Sequence, residues 1–297
     1  MLLKWENKKE ISPYDESCRG IFLSMKHEIL SNRQLSPNVY ELKVKAERIA
    51  NIRQAGQFII LRIKEGGERI PLTLAGSDKT LGTITIIVQA VGKTTSELVN
   101  LKAGDAILDI SGPLGTPTEI AESGKAICVG GGVGTAVIYP IAAALKENGV
   151  SCTSIIGGRS REWVILEDEL SACGECVVCT DDGSYGRKGF VTDALRDELE
   201  RGGVDIVYAV GPVPMMRAVA NLTSGLKVHT IVSLNPLMID GSGMCGGCRV
   251  TVDGKTKFAC VDGPEFDAHK VDFDELWSRL GTYRAEEDVA KVHKCKL

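Results

Sequence analysis

Asp240, Cys245, Cys248 and Cys260 carry the most legible chemistry in this chain. One carboxylate and three thiolates fall at D-x4-C-x2-C-x11-C. The plant-type [2Fe–2S] spacing is C-x4-C-x2-C followed by a distant cysteine, and here an aspartate takes the first cysteine's place in register. Glycines fill the gaps at 241, 243, 246 and 247. Backbone amides must approach cluster sulfurs closely, and glycine reaches the φ values this requires. A zinc knuckle or a pair of buried cysteines is the alternative, since C-x2-C with a third cysteine also suits tetrahedral zinc.

Six other segments offer groups for a nucleotide. Arg69, Pro71, Leu72 and Thr73 lie at a strand end, and Gly92, Lys93, Thr94 and Thr95 form a turn after the next strand. A cation plus backbone N–H groups suits a pyrophosphate, and the Thr73 hydroxyl could donate to N5 of a flavin. Gly92 and Lys93 are not part of a P-loop, because the upstream glycine is missing; two surface turns are the plain alternative. Gly130, Gly131, Gly132, Gly134 and Thr135 end a strand and open a helix, where a dinucleotide phosphate meets free N–H groups. Thr135 stands where the dinucleotide fingerprint has its third glycine. The following strand runs into Arg159 and Arg161 instead of an acid, so either arginine could approach the adenosine ribose, or a 2′-phosphate if NADP is used. Asp181, Asp182 and Gly183, then Gly211, Pro212 and Met215, follow the third and fourth strands. They therefore belong to the carboxyl edge of a parallel sheet, the place for the nicotinamide end.

The elements that must position these residues change character along the chain. From residue 26 to about 118 the pattern is short strands and turns with scarcely a helix. Residues 39–45 alternate apolar and polar, while 57–63 and 83–91 are richer in β-branched side chains. Residues 101–105 and 111–115 read as turns. This predicts an antiparallel Greek-key barrel. From 124 to about 234 strands alternate with helices, which predicts a parallel doubly wound sheet. The tail adds the cysteine loop, a hairpin turning at Asp253 and Gly254, and a helix from about Asp272. The expected units are 25–120, 121–232 and 233–297. Residues 1–24 read as a detached extension, either a mobile arm or sequence upstream of a natural start at Met25.

Composition excludes several classes. A 297-residue chain of 43% hydrophobic and 25% charged residues is ordinary for a globular protein. A net charge of −4 gives no reason to expect nucleic acid or an anionic membrane as partner. Ten cysteines, three at metal spacing, fit a reducing cytoplasm better than a disulfide framework. The uncharged run 126–145 has the length of a membrane span, but its four glycines and Pro140 read as strand, turn and helix start. Cys173, Cys176 and Cys179 lack the fourth cysteine of a [4Fe–4S] run and read as core thiols. The four histidines have no partners placed for a triad.

Barrel, glycine-rich α/β unit and C-terminal cysteine loop together resemble the ferredoxin–NADP reductase superfamily. Over about residues 25–284 the chain is most similar to two groups: electron-transfer subunits of bacterial dihydroorotate dehydrogenase, and sulfide dehydrogenase or NADH-dependent ferredoxin:NADP oxidoreductase. Asp240 in place of a cysteine, residues 235–240 and residues 258–266 resemble the second group. The resemblance implies FAD in the barrel, NAD(H) or NADP(H) on the α/β unit and [2Fe–2S] on Asp240, Cys245, Cys248 and Cys260. It also implies a heterodimer with a larger FAD and [4Fe–4S] subunit, through which ferredoxin could act. Arg69 stands farther from Thr73 than the family's flavin pattern places its arginine. The other readings are a dihydroorotate dehydrogenase electron-transfer subunit and a non-enzymatic flavin or iron–sulfur redox sensor.

Overall fold

The computed structural model describes residues 26–292. The extension expected over residues 1–24 and the start expected at Met25 lie outside the described residues. Two seven-stranded sheets and a small hairpin make up the architecture.

The first sheet holds β1 (His27–Ser36), β2 (Val39–Lys45), β3 (Phe58–Arg62), β4 (Ile70–Asp78), β5 (Thr83–Gln89), β6 (Ala106–Ile107) and β7 (Asp109–Leu114), in the order β6-β1-β2-β5-β4-β3-β7. All its pairings are antiparallel. Its two edge strands, β6 and β7, are separated only by Leu108, whose N–H donates to the Ile63 carbonyl at 3.1 Å. The sheet thus curls until its edges nearly meet, which removes the exposed edges an open sheet would present. Alternation along the strands sends Leu42, Val44, Ile59, Leu61, Leu74, Ile84 and Ile86 inward as one core. Residues 111–115, expected as a turn, begin inside β7. Ser111 pairs with Ile60, so a glycine–proline step sits in an edge strand where the missing N–H costs no interior ladder bond. Two short helices interrupt the barrel: α1 (Glu47–Ile52) and α2 (Lys93–Val99).

The second sheet has β8 (Lys125–Gly131), β9 (Ser151–Gly158), β10 (Glu175–Thr180), β11 (Arg187–Lys188), β12 (Ile206–Val210), β13 (His229–Ser233) and β16 (Glu265–Asp267). The order is β11-β10-β9-β8-β12-β13-β16, parallel except for β16. The chain order reverses between β8 and β12, the switch point where ligands bind in open α/β sheets. Its helices are α3 (Thr135–Glu147), α4 (Glu167–Ser171), α5 (Val191–Arg201) and α6 (Val213–Leu226). The uncharged run 126–145 resolves into β8, a glycine turn and most of α3. Among the described residues no helix is long and apolar enough to cross a membrane.

The C-terminal unit consists of the hairpin β14 (Arg249–Val252) and β15 (Lys255–Phe258), then α7 (Phe273–Leu280) and α8 (Arg284–Val292). The three units share packing. Val39, Ala75 and Ile87 on the outer barrel face meet Ala136, Ile165 and Leu166 of the parallel-sheet unit. Strand β3 is buried on both sides: Ile59 and Leu61 fill the barrel, while Phe58 and Ile60 join the core that contains Val129, Val207, Cys248 and Cys260. Burying such a side chain contributes about 1.5–3 kcal/mol, so β3 ties the barrel firmly to both neighbours.

Candidate functional site

The cysteine loop runs from the end of β13 to β14. Asp240 organises its first half. Its Oδ1 accepts the Ser242 N–H at 2.9 Å and its Oδ2 the Cys245 N–H at 2.8 Å. These amides, Ser242's first, hold the Asp240 carboxyl below its ordinary range. Gly241 has φ +74° and is buried. A methyl there would come within 2.6 Å of Leu114 Cδ1 and 3.1 Å of Ile60 Cγ1. The loop is therefore seated on the barrel, against β3 and β7.

Cys248 and Cys260 are buried with sulfurs 3.2 Å apart. The Ala259 N–H donates to the Cys248 carbonyl at 3.1 Å, so the hairpin itself sets this approach. Burial, then the neighbouring Cys248 sulfur, pushes the Cys260 thiol up to about 12. Cys245 is exposed, and its Sγ accepts the Gly247 N–H at 3.5 Å. Thus two of the sequence-derived ligands touch, the third lies three positions before Cys248, and Asp240 is tied to the third through its amide. Among the described residues no three His, Cys, Asp or Glu side chains close around a single point as a metal site. The donor set nevertheless fits an iron–sulfur centre. Thiolates are its ligands, the Gly247 N–H already points at the Cys245 sulfur, and protons on buried thiols are what a metal displaces.

The second group lies at the switch point. Gly130, Gly131 and Gly134 are packing glycines. A methyl at Gly134 would come within 2.7 Å of the Val210 carbonyl carbon and one at Gly131 within 2.5 Å of Met215 Sδ. One at Gly130 would come within 2.8 Å of Ile138 Cδ1. Gly132 differs: φ is +55°, it is exposed, and nothing approaches its would-be methyl, so its backbone faces open space at the helix start. Thr135 is buried, with its hydroxyl turned toward Gly130. Across the gap, Pro212 precedes α6, and Met215 Cε would lie 2.8 Å from a methyl at Gly211. Met215 thus lies over the crevice between the ends of β8 and β12.

Arg159 follows β9, with its guanidinium carbon 5.8 Å from the Trp163 ring centroid. Arg161 stands 4.9 Å from the Tyr185 ring, and the Tyr185 hydroxyl donates to Glu167 at 2.9 Å. Two cations over two aromatic faces form a surface suited to a planar, anionic ligand. The Asp181 and Asp182 N–H groups donate to the Gly158 and Arg159 carbonyls at 3.1 and 3.2 Å. Ser184 holds the Asp182 carboxyl below its usual range, with its amide 2.9 Å from Oδ1. That carboxylate is spent on its own loop, which turns at Gly183 with φ +76°.

In the barrel, Thr73 pairs with Phe58 and is half-buried. It shares a face with Ala75, the face that meets α3. Pro71 and Leu72 precede it, paired with Ile60 and Ile59. Gly92, expected in a turn, instead caps α2, and Lys93, Thr94 and Thr95 form its first turn. The Thr95 hydroxyl oxygen accepts the Val91 and Gly92 N–H groups at 3.1 and 3.0 Å. Thr94 donates to Glu68. That bond draws the Arg69 segment beside the α2 N-terminus, where first-turn N–H groups have no intrahelical partner. Arg69 and Lys93 are exposed and form no ion pair among the described residues. Sequence reasoning missed Glu68, Trp163, Tyr185 and Glu265. Only Trp163, two positions after Arg161, carried a local signal.

Comparison with known proteins agrees with this arrangement. Residues 128–221 match the model of an oxidoreductase NAD-binding domain. Residues 235–272 match the iron-sulfur cluster binding domain of dihydroorotate dehydrogenase B. The solved structure of an NADH-dependent reduced ferredoxin-NADP oxidoreductase, studied for flavin-based electron bifurcation, is 46% identical with a TM-score of 0.85. The match covers 89% of this chain and 96% of that one. The near-closed barrel, parallel α/β sheet and C-terminal iron–sulfur unit therefore define an oxidoreductase subunit of the ferredoxin–NADP reductase fold. The chain is also 46% identical over 264 residues to the dihydroorotate dehydrogenase B (NAD(+)) electron transfer subunit homolog of Thermotoga maritima, covering 89% of this chain and 94% of the relative. It is 37% identical over 252 residues to the dihydroorotate dehydrogenase B (NAD(+)) electron transfer subunit of Bacillus caldolyticus, covering 82% and 96%. The chain belongs to the family of these electron transfer subunits and their homologues.

Proposed function

We propose that the chain is the NAD(H)-reactive subunit of a larger cytoplasmic oxidoreductase, moving electrons between a nicotinamide and a partner subunit through FAD and a [2Fe–2S] cluster. The observation that carries this reading is the shared strand β3. Phe58 pairs with Thr73 on one side, and two residues on Ile60 lies under Gly241 of the cysteine loop. Neighbouring strands lie about 4.8 Å apart, so the Thr73 face and the cysteine loop are held at short, fixed separation.

When bound, flavin accepts a hydride and the cluster passes single electrons. The chain's own residues do the rest. Thr73 presents a hydroxyl to the flavin ring from the face turned toward the nucleotide unit, with Pro71 and Leu72 setting the strand beneath it. Arg69, Lys93 and the first-turn amides of Thr94 and Thr95 receive the pyrophosphate, with Gly92 capping the helix before them. Gly132 supplies open backbone for the dinucleotide phosphates, while Gly130, Gly131, Gly134 and Thr135 hold the turn in place. Arg159, over Trp163, holds the adenosine end. Asp181, Asp182, Gly183, Gly211, Pro212 and Met215 border the nicotinamide end. Asp240, Cys245, Cys248 and Cys260 hold the metal. Residues 26–120, 121–232 and 233–292 then serve as flavin, nucleotide and cluster units.

Around the cysteine loop stand Leu237, Ile239, Val261 and Met244, the last 89% exposed. An apolar rim of this kind suits a protein interface and supports contact with a larger flavin and [4Fe–4S] subunit at the loop, with ferredoxin acting through that subunit. Asp240 favours a sulfide dehydrogenase or ferredoxin:NADP oxidoreductase partner, whereas the Bacillus caldolyticus relative's name favours a dihydroorotate-oxidising one. The test is the visible spectrum with iron and zinc content of anaerobically purified chain, before and after NADH. Flavin and iron–sulfur bands bleached by NADH are expected; zinc without iron, or flavin unresponsive to NADH, refutes the reading.

A further inference from the structure

We propose that Arg279 is a positioning residue for the metal centre. It fixes the peptide between Cys245 and Cys248 and places a permanent positive charge beside the cluster, raising its reduction potential. This rests on the iron–sulfur reading above.

Helix α7 is capped by Asp272, whose side chain accepts the Glu275 N–H at 2.9 Å. Phe273 and Leu276 are buried against the hairpin core. Arg279 follows Leu276 by three residues and so lies on the same side of the helix, directed at the cysteine loop. Its Nη2 donates to the Gly247 carbonyl at 3.1 Å. Its Nε is buried and has no partner. Glu275, one turn earlier, also leaves a buried carboxylate oxygen unpartnered and forms no ion pair with Arg279 among the described residues. The guanidinium therefore makes no direct ion pair within its own helix among the described residues.

Gly247 is a sensitive place for such a contact. Its N–H already points at Cys245 Sγ, 3.5 Å away, and the next residue is Cys248. In a trans peptide the C=O and the following N–H point to opposite sides. Drawing the Gly247 carbonyl toward Arg279 therefore turns the Cys248 N–H away from the helix. N–H groups directed at cluster sulfurs, and nearby positive charge, both favour the reduced form, which carries the extra electron. Asp240 is the opposing charge in the same loop. Arg249, whose Nη1 would lie 3.7 Å from a methyl at Gly246, is a second cation on the loop's other flank, but it is exposed.

The test compares the full chain carrying Arg279→Lys and Arg279→Gln with the unsubstituted chain. The readouts are the cluster's midpoint potential by EPR-monitored redox titration, and iron content. Gln removes the charge while keeping a donor; Lys keeps the charge while losing the planar fork. The expected result is a shift of the reduction equilibrium toward the oxidised form, by about threefold or more in Arg279→Gln and by less in Arg279→Lys. Wild-type potential in Arg279→Gln at full iron content overturns the proposal. So does an equal shift in the two variants, because charge would then be irrelevant. If Arg279→Gln fails to load iron, Arg279→Lys decides: a potential near wild type supports the proposal, and a large drop overturns it. A wild-type chain without iron removes the underlying functional reading, and is recognised before any substitution is made.

Discussion

Replacing Glu265 with glutamine should stabilise the fold at pH 8 much more than at pH 5. Glu265 opens β16, the antiparallel strand that brings the C-terminal unit onto the parallel sheet. Its side chain reaches inward although the residue as a whole is half-buried. Oε1 accepts the Thr118 hydroxyl at 2.8 Å and would lie 2.9 Å from a methyl at Gly56. Cys128 and Tyr208 are the titratable groups that face it, and among the described residues no cation does. Burial pushes the carboxyl from 4.5 up to about 7, against a smaller opposing pull from the Thr118 hydroxyl. A folded value above the unfolded one means the stability it confers is complete below pH 4.5 and is lost as pH rises through about 7. At ~1.4 kcal/mol per pH unit, glutamine should gain about 1 kcal/mol over wild type at pH 5 and about 3 kcal/mol at pH 8. For a chain of this size the gap in Tm grows from roughly 2–4 °C to roughly 6–12 °C. Thermal unfolding of both proteins at the two pH values, followed by intrinsic fluorescence, measures it. A gap that stays constant between pH 5 and pH 8 refutes the assignment of a buried, readily protonated carboxyl.

Other substitutions separate packing from ligand contact. Gly134→Ala drives a methyl into the Val210 backbone and should cost several kcal/mol, about 3 or more, whereas Gly132→Ala meets only its positive φ, at about 1–2 kcal/mol; melting temperatures of the two variants check the order. Arg159→Ala should raise the KM for NADH severalfold in dye reduction while flavin and iron content stay unchanged; an unaltered KM removes Arg159 from the adenosine site. Cys245→Ser should lower bound iron, since Cys245 is the exposed member of the thiol set, and iron analysis of the purified variant reads this directly.

Much of the site's chemistry is local, and so the chain order alone displays it. The spacing of Asp240, Cys245, Cys248 and Cys260 names an iron–sulfur loop because cluster ligands must fall within one tight segment. The switch from alternating strands to strand–helix repeats announces a barrel followed by a parallel sheet, because side-chain periodicity follows directly from backbone geometry. Two local expectations were incomplete for equally local reasons. Residues 111–115 carry turn-forming residues yet 111–114 extend along an edge strand, and Gly92 caps a helix whose first turn reads like a loop. Tertiary structure alone decided the remainder. The Thr118–Glu265 bond spans 147 positions and the Arg279–Gly247 bond 32, so no spacing rule can reveal either. The three roles of the glycine-turn residues, packing on Val210, packing on Met215 and facing open space, also depend on what β12 and α6 bring against them. Burial turns an ordinary glutamate into a neutral-pH acid, and helix docking turns a surface arginine into a neighbour of the cysteine loop. Both effects arise from desolvation and proximity, which exist only once distant segments have packed together.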